Sequence, residues 1–245
     1  MSSNRITTDK LKGHNQGIEH ENYDKENREH GRHEMVGDKD YNDWTVEWWK
    51  WLLGKSIEES PFMVIGHAGP DRYIAGQPTE MQQRTLKEHG ESVWFLCAAP
   101  YSGDRMVRLN IPAGNWSILA TPYNCIASTE IYPSLKTTAQ LSEHVHKDID
   151  GIYDLWAKLD GTSLNLQVVD MTDEQTEIEG IAPKNMFGID NKTLMPKNNI
   201  IRMVQCGYWI WLKPLTLGDH LLHLHGHSMN YELDMKFNLC VKGPE

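Results

Sequence analysis

Apolar residues are sparse in the first forty positions and then arrive in blocks whose spacing alternates between helical and strand-like. The stretch "GHNQGIEHENYDKENREHGRHEMVGDKD" is charged and histidine-rich, and a segment of that kind buries too little surface to offset its ordering entropy. From residue 41 the pattern changes. In "YNDWTVEWWKWLLGK", Trp44, Trp48 and Trp51 recur at i, i+4 and i+7 beside Leu52, with Asn42 or Asp43 placed to cap and Gly54 to stop. A short helix at about 43–53 follows, pressing an aromatic face into a core. Strand patterns come next: "SVWFLCAAP" is a continuous apolar run, "RMVRLNIP" alternates, and "AGNWSILATP" follows a Pro-Ala-Gly turn. A second helix is predicted at about 138–159, where Thr137 and Gln140 resemble a capping box. Leu141, Val145, Ile149, Ile152 and Trp156 then keep helical spacing, with Gly151 a weak point.

The remainder reads as β structure. "KLDGTSLNLQVVD" places an Asp-Gly turn between two short strands. "GYWIWLKPLTLGDHLLHLHGHS" suggests a strand at 207–213, a turn through Pro214–Asp219 and a returning strand at 220–228. In "ELDMKFNLCVK", Leu233, Met235, Phe237 and Leu239 alternate on one face of a closing strand. Many short strands, Pro/Gly turns and two helices predict a mainly β fold, an antiparallel β-sandwich or jelly-roll-like domain over 41–245 behind a polar tail at 1–40.

Composition narrows the partners. A net charge of −10 leaves no basic stripe to displace phosphate counterions, which argues against nucleic acid as a partner. The tail is nearly balanced, with 7 Lys/Arg against 9 Asp/Glu, so the acidity belongs mostly to the domain. Cys97, Cys125, Cys206 and Cys240 are widely spaced without a CxxC pair, which fits reduced, buried thiols in a cytosolic protein. The N-terminus has no apolar run and Val93–Pro100 is too short to cross a bilayer, so the expected location is cytoplasmic, without membrane association.

The stretches "WWKWLL", "VWFLCAAP", "IPAGNWSILATPYN", "YPSLKTT", "LDGTSL" and "GYWIWLKPLTLGDHLLHLHG" run in order across the domain. On them the chain resembles a family of uncharacterised prokaryotic proteins. That resemblance implies one integral domain with a dispensable or specialised tail, and brings no activity with it. Locally, "HLLHLHGH" is similar to the copper-ligating cluster of multicopper oxidases. No His-Cys-His segment follows it, so membership in that family is rejected.

Four histidines nevertheless fall within residues 220–227. On a strand His223, His225 and His227 share one face and Leu222 and Leu224 the other. Imidazoles at i, i+2 are spaced to share one ion, as in cupins, although Glu232 comes too late to complete the cupin motif. The expected metal ligands are His223 and His225, then His227 or His220, with a carboxylate from Glu130 or Glu47; His67 and Asp71 are further candidates. The expected cofactor is one transition-metal ion, Fe, Cu or Zn. His144 and His146 diverge on a helix and read as solvated, and His14, His20, His30 and His33 belong to the tail.

Trp48, Trp94, Trp116, Trp209 and Trp211 are the candidate lining of a pocket for a small, largely apolar molecule. No GxSxG elbow, P-loop or dinucleotide fingerprint occurs, and Cys125 is a minor candidate nucleophile. The leading expectation is a metal-dependent enzyme, an oxidoreductase first and a lyase or hydrolase next. The alternatives are a non-enzymatic ligand-binding sandwich and a metal-free isomerase or cyclase using Glu47 or Asp71 as general acid. A homo-oligomer formed through the tail is a further expectation.

Overall fold

The tryptophan-spaced helix forms as α1 (Tyr41–Leu53) and is capped by Asp40, whose carboxylate accepts the Asp43 backbone N–H at 2.9 Å. The cap is therefore neither Asn42 nor Asp43. Regular structure also reaches into the stretch read as tail, because β1 (Met35–Val36) and β2 (Lys39–Asp40) pair antiparallel just ahead of the helix. The computed structural model describes residues 35–36, 39–56, 92–97, 101–114, 116–189, 199–229 and 232–243. The tail histidines, His67 and Asp71 lie outside the described residues, as does any contact through residues 1–34.

Alternation resolves into two sheets. One has the order β3 (Ser92–Phe95), β5 (Trp116–Ser128), β9 (Ile201–Leu212), β8 (Gln167–Ile178). The other has the order β4 (Tyr101–Pro112), β11 (Glu232–Lys242), β10 (Gly218–Ser228), β6 (Ile152–Leu159), β7 (Thr162–Ser163). The fold is mainly β and sandwich-like, as expected. Its sheets are mixed rather than purely antiparallel, because β4 runs parallel to β11 and β3 parallel to β5. The expected hairpin through Pro214–Asp219 is instead a crossover: β9 and β10 belong to different sheets.

The second helix, α2 (Thr138–Asp150), carries the capping box at Thr137 and Gln140 and stops at Gly151, not at residue 159. Ile152, which fits a helical repeat, opens β6 instead. Helix and strand periods overlap in "IYDLWAKL", and pairing with β10 decides between them. The Asp-Gly turn forms as predicted, with Asp160 (φ 50°) and Gly161 (φ 81°) both left-handed between Leu159 and Thr162.

The four-stranded sheet is covered on both faces. Trp44, Trp48 and Trp51 of α1 pack on Phe95, Leu119, Met203 and Trp209. On the other face, Ile118, Ile210 and Leu212 meet Leu222, Leu224, Phe237 and Leu239 of the second sheet, and Leu141, Val145 and Ile149 of α2 cover Ala127, Val204 and Cys206. Two buried polar links fasten α1: Trp48 Nε1–H donates to Leu96 O at 2.9 Å, and Gln205 Nε2–H donates to Thr45 Oγ1 at 2.9 Å. No helix among the described residues is long and apolar enough to cross a membrane.

Strand β5 is broken in its middle. Pairing with β9 passes from Ala120↔Ile210 to Tyr123↔Tyr208, so Thr121 and Pro122 oppose Trp209 alone, a β-bulge. Just beyond, Gly207 pairs with Asn124 so tightly that an added Cβ would stand 2.6 Å from Asn124 Cβ and 2.8 Å from its Cα. Gly207→Ala should therefore destabilise the protein by about 1–3 kcal/mol through overpacking. It should lower the urea midpoint with the slope preserved. An unchanged midpoint would show that the two strands do not approach this closely.

Candidate functional site

The histidine strand takes the two faces that its alternation predicts. Leu222 and Leu224 are fully buried, while His223, His225 and His227 face outward from the five-stranded sheet, half-buried rather than solvated. Their cover comes from the neighbouring strands. In register, His225 lies between Asp234 and Trp156, His227 between Glu232 and Asp154, and His223 between Lys236 and Lys158. His225 stacks on Trp156 at 4.8 Å and 13°, His223 meets the same indole edge-on at 4.7 Å, and Lys158 Nζ lies 4.5 Å from that ring's centre. The His227 ring lies 5.0 Å from that of Tyr153.

Carboxylates hold the imidazoles. His223 Nε2 is 2.6 Å from Asp234 Oδ1, and His225 Nε2 is 3.1 Å from Asp154 Oδ2. An ionised carboxylate only accepts, so both Nε2 atoms carry the proton. The other Asp234 oxygen stands 4.0 Å from His225 Nδ1, a buried atom without a hydrogen-bond partner. Among the described residues no group of three or more His, Cys, Asp or Glu is placed to hold a metal ion.

The remaining expected ligands are elsewhere. His220 sits on the other side of the strand from these three, with Nδ1 2.8 Å from Asp160 Oδ2 and Nε2 3.0 Å from Thr216 O. Its value is raised, chiefly by the Asp160 hydrogen bond, and the Thr216 hydroxyl also lies 3.2 Å from Nε2, so both ring nitrogens are already engaged. Glu130 lies in the turn after β5, in the other sheet, with a buried Oε2 that has no partner. The Glu47 carboxylate is held by Lys39 (3.4 Å) and Lys50 (3.1 Å). His144 and His146 are not solvated, since α2 lies flat on the sheet. His146 Nε2 is 3.0 Å from Asp170 Oδ2, and the His144 ring lies 4.3 Å from that of Tyr132.

A cavity of about 200 Å³ lies along β5 at the bulge, where β3 has ended. Its walls come from α1 (Trp48, Trp49), the bulge (Pro122, Asn124) and the segment carrying Met186 and Phe187. Of the five tryptophans expected to line a pocket, Trp48 does so. Trp94 and Trp116 pack on each other at 5.6 Å, Trp209 is buried against Trp48, and Trp211 packs on Tyr41 and Trp44. Trp49 was missed although it adjoins Trp48 in the sequence, and Pro122 within "ATPYN" was the available sign of the bulge. Cys97 and Cys125 line the same cavity. Burial pushes both thiols up, and Cys125 donates to Asp148 Oδ2 at 3.5 Å rather than to a histidine, so neither is an activated nucleophile.

Comparison with known proteins adds no function. No protein-family model and no curated protein matches the chain. Among solved structures it is similar to a cysteine protease inhibitor from Entamoeba histolytica at 15% identity and a TM-score of 0.20, covering 62% of this chain and 97% of that one.

The Asp160–His220 pair sets a pH dependence. His220 is raised from 6.5, so its contribution is complete below that pH and is lost as pH climbs through the folded value. Asp160 is lowered from 3.8, chiefly by His220, so its contribution is present above that pH and is lost as pH falls through the folded value. Asp160→Asn keeps a residue that tolerates the left-handed turn. It should cost up to about 1 kcal/mol at pH values between these two, a scale set by the pair's exposure. The cost should shrink in denaturation measurements made above the folded His220 value. A cost independent of pH would show that no imidazolium is held there.

Proposed function

We propose that this protein binds a small, largely apolar molecule in the cavity along β5. The observation that carries this reading is the cavity itself: about 200 Å³ walled by Trp48, Trp49, Met186 and Phe187 at an irregular strand edge. An apolar cavity of about 150 Å³ suffices for benzene, so a bicyclic molecule is the appropriate scale. The four free cysteines fit a reducing compartment, and we place the protein in the cytoplasm on that basis. Ile126, which lines the cavity and is buried, supplies the test. Naphthalene should stabilise the full-length protein by about 2.7 kcal/mol at 100 times Kd, read as a rise in melting temperature that grows with the logarithm of its concentration. Ile126→Phe fills the space and should weaken that response at least tenfold; an equal response from both proteins sinks the proposal.

A second reading, a mononuclear Fe, Cu or Zn site on β10 supporting oxidoreductase chemistry, is favoured by Asp234. One of its oxygens meets His223 Nε2, and the other faces the unpartnered His225 Nδ1. Ligation would replace the His223–Asp234 hydrogen bond and require the carboxylate to turn. Elemental analysis of the full-length protein beside its His223→Ala/His225→Ala variant decides this, because tail histidines are common to both. Near-stoichiometric metal lost in the variant supports the site. Equal metal content in the two proteins rejects it.

A further inference from the structure

Resting on the cavity reading above, we infer that the occupant carries a methylated ammonium group, a trimethylammonium head of the choline kind, held among the rings of Tyr123, Tyr132 and Phe187. Rings supply much of the wall. Those three line the cavity and keep part of their surface accessible, and Trp49 joins them, its ring 6.4 Å from that of Phe187. Trp48 stands nearly perpendicular to Trp49, at 5.0 Å and 89°, so rings bound the space from more than one direction. An aromatic face carries the negative end of a quadrupole and attracts a cation placed over it, most strongly where water is excluded. A trimethylammonium head is close in size to benzene, which an apolar cavity of about 150 Å³ accepts, so the space of about 200 Å³ takes it.

The charges around the cavity have the matching sign. None of the described residues on its wall is Lys, Arg or His. His144 packs on Tyr132 at 4.3 Å without itself being on the wall. Beside Cys125 stands the Asp148 carboxylate of α2, which accepts from that thiol at 3.5 Å and forms no ion pair among the described residues. Its charge reaches the wall: the phenols of Tyr123 and Tyr132 are pushed up chiefly by burial, and Cys125 and Asp148 push the same way. An anionic occupant would meet that carboxylate with no cation on the wall to offset it. A primary ammonium would bring three N–H donors that each need an acceptor. A methylated one presents only C–H groups, and rings with a nearby negative charge suit it.

Isothermal titration of the full-length protein with choline and with 3,3-dimethyl-1-butanol, the uncharged alcohol that has carbon in place of the quaternary nitrogen, tests this. Choline should bind about tenfold more tightly than the alcohol, the scale of a desolvated cation held by rings. Ethanolamine, whose ammonium is costly to strip of water, should bind about tenfold more weakly than choline. Tyr132→Leu and Phe187→Leu should each draw the choline-to-alcohol ratio toward one, and Asp148→Asn should weaken choline alone. The naphthalene response described above shows whether each variant keeps its cavity. Equal affinity for choline and the alcohol, or ethanolamine binding as tightly as choline, overturns the methylammonium assignment; naphthalene binding then leaves the cavity reading standing. A choline preference unchanged in both ring variants overturns its placement among these rings. No response to choline, the alcohol or naphthalene overturns the cavity reading itself.

Discussion

Pro122 has no N–H to give to a ladder, yet it stands inside β5, an inner strand in the order of its sheet. The strand answers with a bulge, and the Thr121 hydroxyl donates to Tyr208 O where the proline offers nothing. One extra residue reverses which side chains face α1: Leu119 does so before the bulge and Ile126 after it, while β9 keeps one alternation from Ile201 to Trp211. The cavity lies where this reversal occurs. A regular strand would have carried its apolar side chains straight under the helix and left less room there.

The outer histidine row answers a different constraint. Three imidazoles at i, i+2 on one strand face would repel one another once protonated. The flanking strands place Asp154, Glu232 and Asp234 beside His225 and His227, and Asp234 also reaches His223, which lies between Lys236 and Lys158. Trp156 fills the gap between His223 and His225 and keeps both rings partly out of water. These neighbouring side chains account for the row's incomplete exposure.

Period-two alternation made much of this visible in the sequence. Leu222 and Leu224 against His223, His225 and His227, and Leu233 through Leu239 against Asp234 and Lys236, take the faces their spacing assigns. Local chemistry was equally readable at the Thr137 capping box and the Asp160–Gly161 turn. What escaped depends on partners distant in sequence. Trp156 suits a helical repeat after Ile149 and a strand beside β10 equally well, and only the β6–β10 pairing places it against the histidines. Pro214–Asp219 looks like a hairpin because turn residues do not say whether the chain returns to its own sheet or crosses to the other. Individual tryptophans gave little guidance, since an indole that fills a core and one that lines a cavity carry the same hydrophobic signature.

The sequence encouraged a single site in which histidines hold a metal and tryptophans hold a substrate, and the architecture separates the two. The cavity belongs to α1, β5 and the segments packed on them, whereas the histidine row is on the outer face of the sheet formed by β4, β11, β10, β6 and β7. Leu222, Leu224, Phe237 and Leu239 fill the space between that sheet and its partner. Stacked sheets lie about 10 Å apart, and both sites sit beyond the inner faces of that stack. An ion on His223 would thus act on a molecule at the outer face and not on one beside Trp49. A close-packed core transmits strain but does not open a path through itself. Chemistry at the two places is therefore independent, and occupancy of one gives no reason to expect occupancy of the other.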